Sequence, residues 1–321
     1  MVPTYSRPGE LLELLDALAA LPDPPAETAI VDGTPGDTIA RPVAAWARGR
    51  ALPFDLLYVR SPKGLTRQRN AGIDLTSGEY VFFLDDDAIP HPGYFSALRG
   101  AFEAHPDAGG LGGAIANQMD RPINRRWRIR LATGLVPRVE PDTWHPSGTS
   151  TPRALLQPFS GVRRVDLLPG CAFAFRRRVL REFRFSRFFD GYAQGEDMEM
   201  SLRVGRKWKL LSCGDALVDH HAAPAGRPGS FAKGRMEVRN RYFIWKRHAG
   251  AVRLVDRFRF WADFLFLFGM DAAWFCVRPW KPAFLAHGLG VLHGVAGCLF
   301  APPRFEEPPA ARRYELVDGH E

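Results

Sequence analysis

The run Tyr80-Val81-Phe82-Phe83-Leu84 passes without a break into Asp85-Asp86-Asp87 and then Ala88. Strand-forming apolar residues with no polar alternation read as a strand buried on both faces, the kind found at the centre of a parallel sheet. In open α/β sheets ligands collect beyond the carboxyl ends of the strands, where these acids fall. Strand geometry carried one step further puts Asp85 and Asp87 on one side and Asp86 on the other. Three adjacent carboxylates repel one another and favour a hard divalent cation with oxygen ligands. A solvated acidic turn is the plain alternative, and the rest of the chain decides between them.

Strand and helix patterns alternate outward from this run. Residues 11–21 carry apolar side chains at helical spacing and stop at Pro22. A short strand over 29–31 ends in Asp32-Gly33, a helix spans 43–50, and a strand spans 54–59. Helices follow over 65–75 and 93–104, on either side of the apolar run. This order predicts a doubly wound, Rossmann-like sheet, mostly parallel and flanked by helices. Residues 121–160, rich in Pro, Arg, Gly and Ser, read as a long loop. Beyond it come an apolar stretch over 165–175, a short helix over 179–183, a helix over 196–207 and a strand over 209–218.

A chain of 321 residues, 46% hydrophobic and 24% charged, can bury a substantial core and is not of the disordered class. The formal net charge of +8, carried mainly by arginine, suits phosphate-bearing ligands or an anionic membrane surface. No helix-turn-helix, zinc finger or RNA-binding sheet motif is evident, which argues against nucleic acid as the partner. Cys171, Cys213, Cys276 and Cys298 are widely spaced in apolar company and read as buried thiols of a reducing compartment. The first residues lack the apolar core of a signal peptide, so the expected location is the cytoplasmic side.

The character changes at about residue 227, giving an expected division into a catalytic part, 1–226, and a tail, 227–321. Basic and aromatic residues interleave from Arg235 to Arg247, and two apolar stretches follow over 260–277 and 283–300. The first holds Asp263 and Asp271, each costing roughly 2.5–3.5 kcal/mol at a bilayer centre, which tells against a simple span. In the second, Ala286, Gly290 and Gly294 form a row suited to close helix packing. The expectation is a helical tail associating with an anionic membrane surface by docking or as a re-entrant hairpin. A helical cap on the catalytic part is the alternative.

Four further segments stand in order around the acidic run: Pro3-Thr4-Tyr5-Ser6-Arg7, Val31-Asp32-Gly33, Arg69-Asn70-Ala71-Gly72, and Gly195-Glu196-Asp197 followed later by Asp219-His220-His221. Together with the acids they resemble the family-2 glycosyltransferases of the GT-A fold, over about residues 1–247. Each motif is weak alone; the order and spacing are specific. The resemblance implies an inverting enzyme that uses Mn²⁺ or Mg²⁺ to move a sugar from a nucleoside-diphosphate donor to a glycan or lipid-linked acceptor.

Carried over residue by residue, the resemblance makes Asp85, Asp87 and His220 metal ligands, with His221 the rival for the last role. Imidazole suits Mn²⁺ better than Mg²⁺. Asp197 becomes the general base and Glu196 its orienting neighbour, although an acid in a first helical turn is ordinarily just favourable to the helix dipole. Thr4, Tyr5, Arg7, Asp32, Arg69 and Asp86 fall to the donor. Tyr5 offers a stacking face, Asp32 an acceptor for a base edge, Asp86 a contact to ribose or sugar, and Arg69 or Arg67 a guanidinium for the diphosphate. Pro169-Gly170-Cys171-Ala172 corresponds to a small-residue segment under the acceptor site. Two departures stand out. Only Met1 and Val2 precede Pro3, so either the true start lies further upstream or the first strand is unusually short, and the family's usual double acid after the second strand is Asp32-Gly33. Nucleotidyl transfer onto sugar phosphates is the rival chemistry, but no glycine-rich phosphate loop supports it. A non-catalytic glycan- or membrane-binding scaffold is the rival class, and intact Asp85, Asp87 and Asp197 argue against it.

Overall fold

The computed structural model describes residues 1–189, 191–223 and 226–304, and the backbone of Glu315–Leu316. Strands β1 (Val2–Thr4), β2 (Glu27–Asp32) and β3 (Asp55–Arg60) pair in parallel, Val2 beside Ile30 and Ile30 beside Tyr58. Helices α1 (Pro8–Ala20), α2 (Ala40–Ala47) and α3 (Leu65–Leu75) connect successive strands. The apolar run is β4 (Tyr80–Leu84), and Met1 ties it to the first three strands. Leu84 N–H donates to the Met1 carbonyl at 3.2 Å and the Met1 amino group donates to Phe82 O at 2.7 Å.

Beyond β4 the parallel order gives way to a mixed sheet. β8 (Ala172–Arg176) runs antiparallel to both β4 and β6 (Ala108–Ile115), and β6 runs parallel to β9 (Lys209–His220). β5 (Ala88–Pro90) and β7 (Val162–Val165) flank β9 in antiparallel register. β10 (Glu315–Leu316) pairs antiparallel with β3. One face of the sheet packs on α1, α2 and α4 (Tyr94–Ala104) through Leu14, Trp46 and Leu98. The other packs on α3, α6 (Arg177–Glu182) and α7 (Glu196–Val204) through Ile73, Leu180 and Met200. β4 serves both faces, with Leu84 in the first core and Val81 and Phe83 in the second, as its unbroken apolar sequence requires.

The sequence pattern gives no hint of β6, and the reason is its composition, Ala108-Gly-Gly-Leu-Gly-Gly-Ala-Ile115. Glycine weakens a strand on propensity grounds. Here a Cβ at Gly110 would stand 2.5 Å from the Phe175 ring and one at Gly113 2.7 Å from the Tyr94 ring, so bulky neighbours distant in sequence require it.

The chain forms two compact units, one of residues 1–119 and 157–226 with β10, the other of 120–156 and 227–304. A cut at 226 alone does not describe this division, because residues 120–156, which hold most of the stretch 121–160 read from sequence as a loop, carry α5 (Arg125–Ala132) and belong to the second unit. That unit adds α8 (Ser230–His248), α9 (Leu254–Val277) and α10 (Ala283–Phe300). Gly290 and Gly294 of the expected small-residue row face α8: a Cβ at Gly290 would fall on the Phe231 carbonyl, and one at Gly294 would lie 2.8 Å from Val238. Gly290→Val should therefore push α8 and α10 apart and lower the stability of this unit by about 1–3 kcal/mol, the usual cost of overpacking. A thermal unfolding scan checks this, with Gly297→Ala, which meets nothing within 4 Å, as the neutral control.

Candidate active site

β4 stops at Leu84, and Asp85-Asp86-Asp87 form a turn rather than a continuation of the strand. Ala88 N–H closes it on Asp85 O at 3.0 Å, and Asp85 N–H donates to Cys171 O at 3.0 Å. The turn still separates the acids as expected. Ligand atoms of Asp85, Asp87 and His220 all lie within 4.8 Å of one another. Asp86 points to the β1 side, where Thr4 Oγ1 donates to it at 2.7 Å and Arg7 Nη1 at 2.9 Å.

Asp87 is buried, and its Oδ1 accepts no hydrogen bond; His220 Nε2 stands 3.3 Å away. Its Oδ2 accepts from Ala223 N–H at 2.7 Å, and Arg7 lies 3.4 Å from it. Burial alone would raise this carboxyl, but His220, the Ala223 N–H and Arg7 outweigh burial and hold it below the usual carboxylate range. Burial pushes Asp86 up to about 7 against Arg7 and Thr4, and pushes Asp85 upward against Arg69. His220 goes up to about 10, because the Asp87 and Cys171 contacts overcome a burial effect that lowers it. Two carboxylates, one of them with an orphaned buried oxygen, and an imidazole are a donor set that fits a divalent cation of the Mn²⁺ or Mg²⁺ type.

His220 is held by residues that sequence reasoning missed. Asn117 takes both backbone groups of His220, accepting its N–H at 3.1 Å and donating to its carbonyl at 3.0 Å. The Gln118 side-chain amide lies 3.2 Å from His220 Nδ1. These two amides follow the unforeseen strand β6, and no motif marks them. His221 is exposed and contributes its N–H to Asp87 O, so the convergent imidazole is His220.

The acid pair opens α7. Glu196 is 5% exposed, and Arg69 Nη1 donates to it at 2.6 Å. Burial first, and Asp197 second, push Glu196 up to about 8, with Arg69 pulling the other way. Asp197 is half-buried; its Oδ1 accepts from Met198 N–H, and its Oδ2 lies where a Cβ on Gly170 would be 2.6 Å away. The small-residue segment 169–171 thus holds Asp85 through Cys171 O and leaves room for Asp197 at Gly170.

Three donor-site expectations need correction. Arg69 does not reach toward a diphosphate: it is 1% exposed and its Nη2 bonds Asp85 at 3.1 Å and Gly170 O at 2.6 Å. Its pKa is raised, burial being outweighed by Glu196, Asp85 and Asp197. Asp32 is fully buried, and its two oxygens are taken by Thr34 N–H at 2.7 Å and the Tyr58 hydroxyl at 2.5 Å, so it caps its own turn instead of offering an acceptor outward. The Tyr5 ring is half-exposed, but Lys63 Nζ sits 3.9 Å from its centroid and covers a face expected to be open for stacking. Arg7 stays with the acids and also donates to Ala223 O at 3.2 Å.

A family model described as Glycosyl transferase family 2 matches residues 1–184. The succinoglycan biosynthesis protein ExoM of Rhizobium meliloti (strain 1021) is 38% identical over 87 residues, 26% of this chain and 28% of that protein. The chain thus matches little more than a quarter of ExoM's length. The uncharacterized glycosyltransferase YwdF of Bacillus subtilis (strain 168) is 26% identical over 191 residues, 58% of this chain and 69% of its own. Among solved structures, the mannosyltransferase PcManGT from Pyrobaculum calidifontis, in complex with GDP-Man and Mn²⁺, superposes with a TM-score of 0.55 at 16% identity. That match covers 93% of this chain and 86% of PcManGT, and it establishes a shared fold.

Gln118→Leu should weaken Mn²⁺ binding about 10–100-fold, the usual effect of removing a partner that orients a metal-bound imidazole. Titration calorimetry with Mn²⁺ checks this, and an unchanged affinity would show that Gln118 has no such role.

Proposed function

The chain belongs to glycosyl transferase family 2, and on that premise we propose that this glycosyltransferase is inverting and metal-dependent, moving a sugar from a nucleoside diphosphate to an acceptor hydroxyl. The observation that carries the reading is the segment 169–171, which sets the Asp85 end of the Asp85, Asp87 and His220 cluster beside Asp197. The PcManGT complex with GDP-Man and Mn²⁺ supports a nucleotide-sugar donor with a divalent ion.

Asp85, Asp87 and His220 would hold Mn²⁺ or Mg²⁺, which when bound neutralises charge on the departing diphosphate. Asp197 takes the acceptor's proton as its oxygen bonds to the anomeric carbon; the bond from that carbon to the diphosphate oxygen breaks, and the configuration inverts. Glu196, locked to Arg69, fixes the start of α7 and with it the base. The donor lies on the side of Thr4, Tyr5, Arg7 and Asp86, where Lys63 adds a cation the sequence pattern does not mark. The acceptor is a glycan or lipid-linked hydroxyl presented at the cytoplasmic face of an anionic membrane, in cell-surface polysaccharide synthesis. ExoM's part in succinoglycan biosynthesis and the apolar helices α9 and α10 support that reading.

Release of nucleoside diphosphate tests the reading directly, once a thermal-shift screen of UDP-, GDP- and dTDP-sugars with Mn²⁺ has found a donor. Asp85→Ala or Asp87→Ala should abolish turnover and the Mn²⁺-dependent part of donor binding; full activity in EDTA would overturn the metal's role. Asp197→Asn should leave donor binding nearly intact and reduce turnover about 10²-fold or more, the usual scale for loss of a general base. A healthy Asp197→Asn beside a crippled Glu196→Gln would reverse the two assignments.

A further inference from the structure

Helix α9 keeps its carboxylates on the inside. Asp256, Asp263 and Asp271 of α9 are each at most 1% exposed. Their spacing of seven and eight residues puts them on one helix face. Arginine meets every one of them. Arg130 grips both oxygens of Asp263 at 2.7 and 2.6 Å, and Arg241 adds a third contact at 2.8 Å. Arg126 and His287 hold Asp271, the latter at 2.6 Å, while Arg253 and Arg259 hold Asp256 at 2.8 and 3.1 Å.

What faces outward is apolar. On α9 beyond Phe260, every residue that is not fully buried is uncharged, and Leu265 and Val277 are 57% and 66% exposed. On α10 the same holds from Ala283 to Phe300, with Leu289, Leu299 and Phe300 exposed and His287 and His293 the only ionisable side chains outside the core. A helical cap in water has the reverse arrangement, with a charged outer face. A protein-binding patch carries a polar rim around its apolar centre. On α9 and α10 themselves the exposed cations sit at the helix ends: Arg253 and Arg257 at the start of α9, and Arg278 and Lys281 beside Trp280 in the link to α10, while the exposed Arg125, Arg128 and Arg235 belong to α5 and α8. That is the distribution of an element with a hydrocarbon middle and headgroup-facing ends. Helices of 24 and 18 residues are about 36 and 27 Å long, close to the ~30 Å hydrocarbon thickness of a bilayer.

We propose that α9 and α10 form a hairpin embedded in the hydrocarbon of an anionic lipid bilayer, with Asp263 and Asp271 of α9 sealed against the arginines of α5 and α8 as an internal ionic core. Ionisable residues within membranes characteristically face the bundle interior and pair with one another. The proposal rests on the membrane-facing part of the reading above and not on the transfer chemistry. It differs from docking at the surface, which Asp263 and Asp271 favour when the segment is judged by its composition alone.

The test uses the full chain with phosphatidylcholine–phosphatidylglycerol vesicles. Expected results are retention through 1 M salt and alkaline carbonate, and quenching of Trp261 and Trp274 fluorescence by lipids brominated at mid-chain. Leu265→Glu with Leu289→Glu, both outward-facing, should raise the salt-released fraction at least tenfold without altering the donor-dependent thermal shift. Binding at low salt that is stripped by 1 M salt, with no mid-chain quenching, overturns embedding but leaves the membrane-facing reading standing. A chain that stays monodisperse without detergent and ignores vesicles at low salt overturns both. A detergent-free dimer whose contact is broken by the same two substitutions assigns the face to a second copy and also overturns the proposal.

Discussion

The guanidinium of Arg69, 1% exposed, binds the turn that ends β4 to the first residue of α7. A cation so far from water is tolerable only because Asp85, Glu196 and the Gly170 carbonyl surround it, with the Phe173 and Phe185 rings 5.2 and 5.3 Å away. Removing one partner of such a buried pair typically costs about 3–5 kcal/mol, since the other charge is left uncompensated. Lysine is a poor substitute, because its compact ammonium lacks the planar fork whose two separate nitrogens reach Glu196 on one side and Asp85 and the Gly170 carbonyl on the other. The distance between a candidate cation ligand and a candidate base is therefore fixed by the folded protein before any substrate arrives.

The acidic triplet is stable for a related reason. Adjacent carboxylates disfavour one another's ionisation, and the turn sends each to a different partner: Asp85 to Arg69, Asp86 to Arg7, Asp87 to His220. Only Asp87, which also accepts a backbone N–H, is held below the ordinary range, while burial raises the other two. A solvated acidic turn would show none of this.

Patterns local in sequence were the legible ones. α3 and β4 begin and end where apolar spacing places them, because a helix stripe and a buried strand are written in neighbouring residues. The convergence of Asp85, Asp87 and His220 was legible too, since the spacing of the acids and the late histidine survive the change from strand to turn. Features that depend on distant partners were not. β6 is a strand because Phe175 and Tyr94 need the room its glycines leave. Arg69 reads as a phosphate ligand until Glu196, 127 positions away, is seen to claim it. Asp32 likewise reads as an outward acceptor until Tyr58 takes its second oxygen. Sequence displays a charge but not the group that reaches it first.

The same limit explains the second unit. Composition weighs a segment by its own residues, and by that measure Asp263 and Asp271 count against α9 as a span even though its mean hydropathy reaches 1.5. The counter-charges come from elsewhere: Arg126 and Arg130 stand four apart on α5, so they share one face of that helix and meet the two acids of α9. Arg130 engages both oxygens of Asp263, the bidentate geometry that a guanidinium allows and an ammonium does not. Arg241 of α8 reaches Asp263 from a third helix. The segment that looks like a loop, rich in arginine and proline, thus helps make Asp263 and Asp271 of α9 tolerable away from water, and the two stretches have to be read as one element.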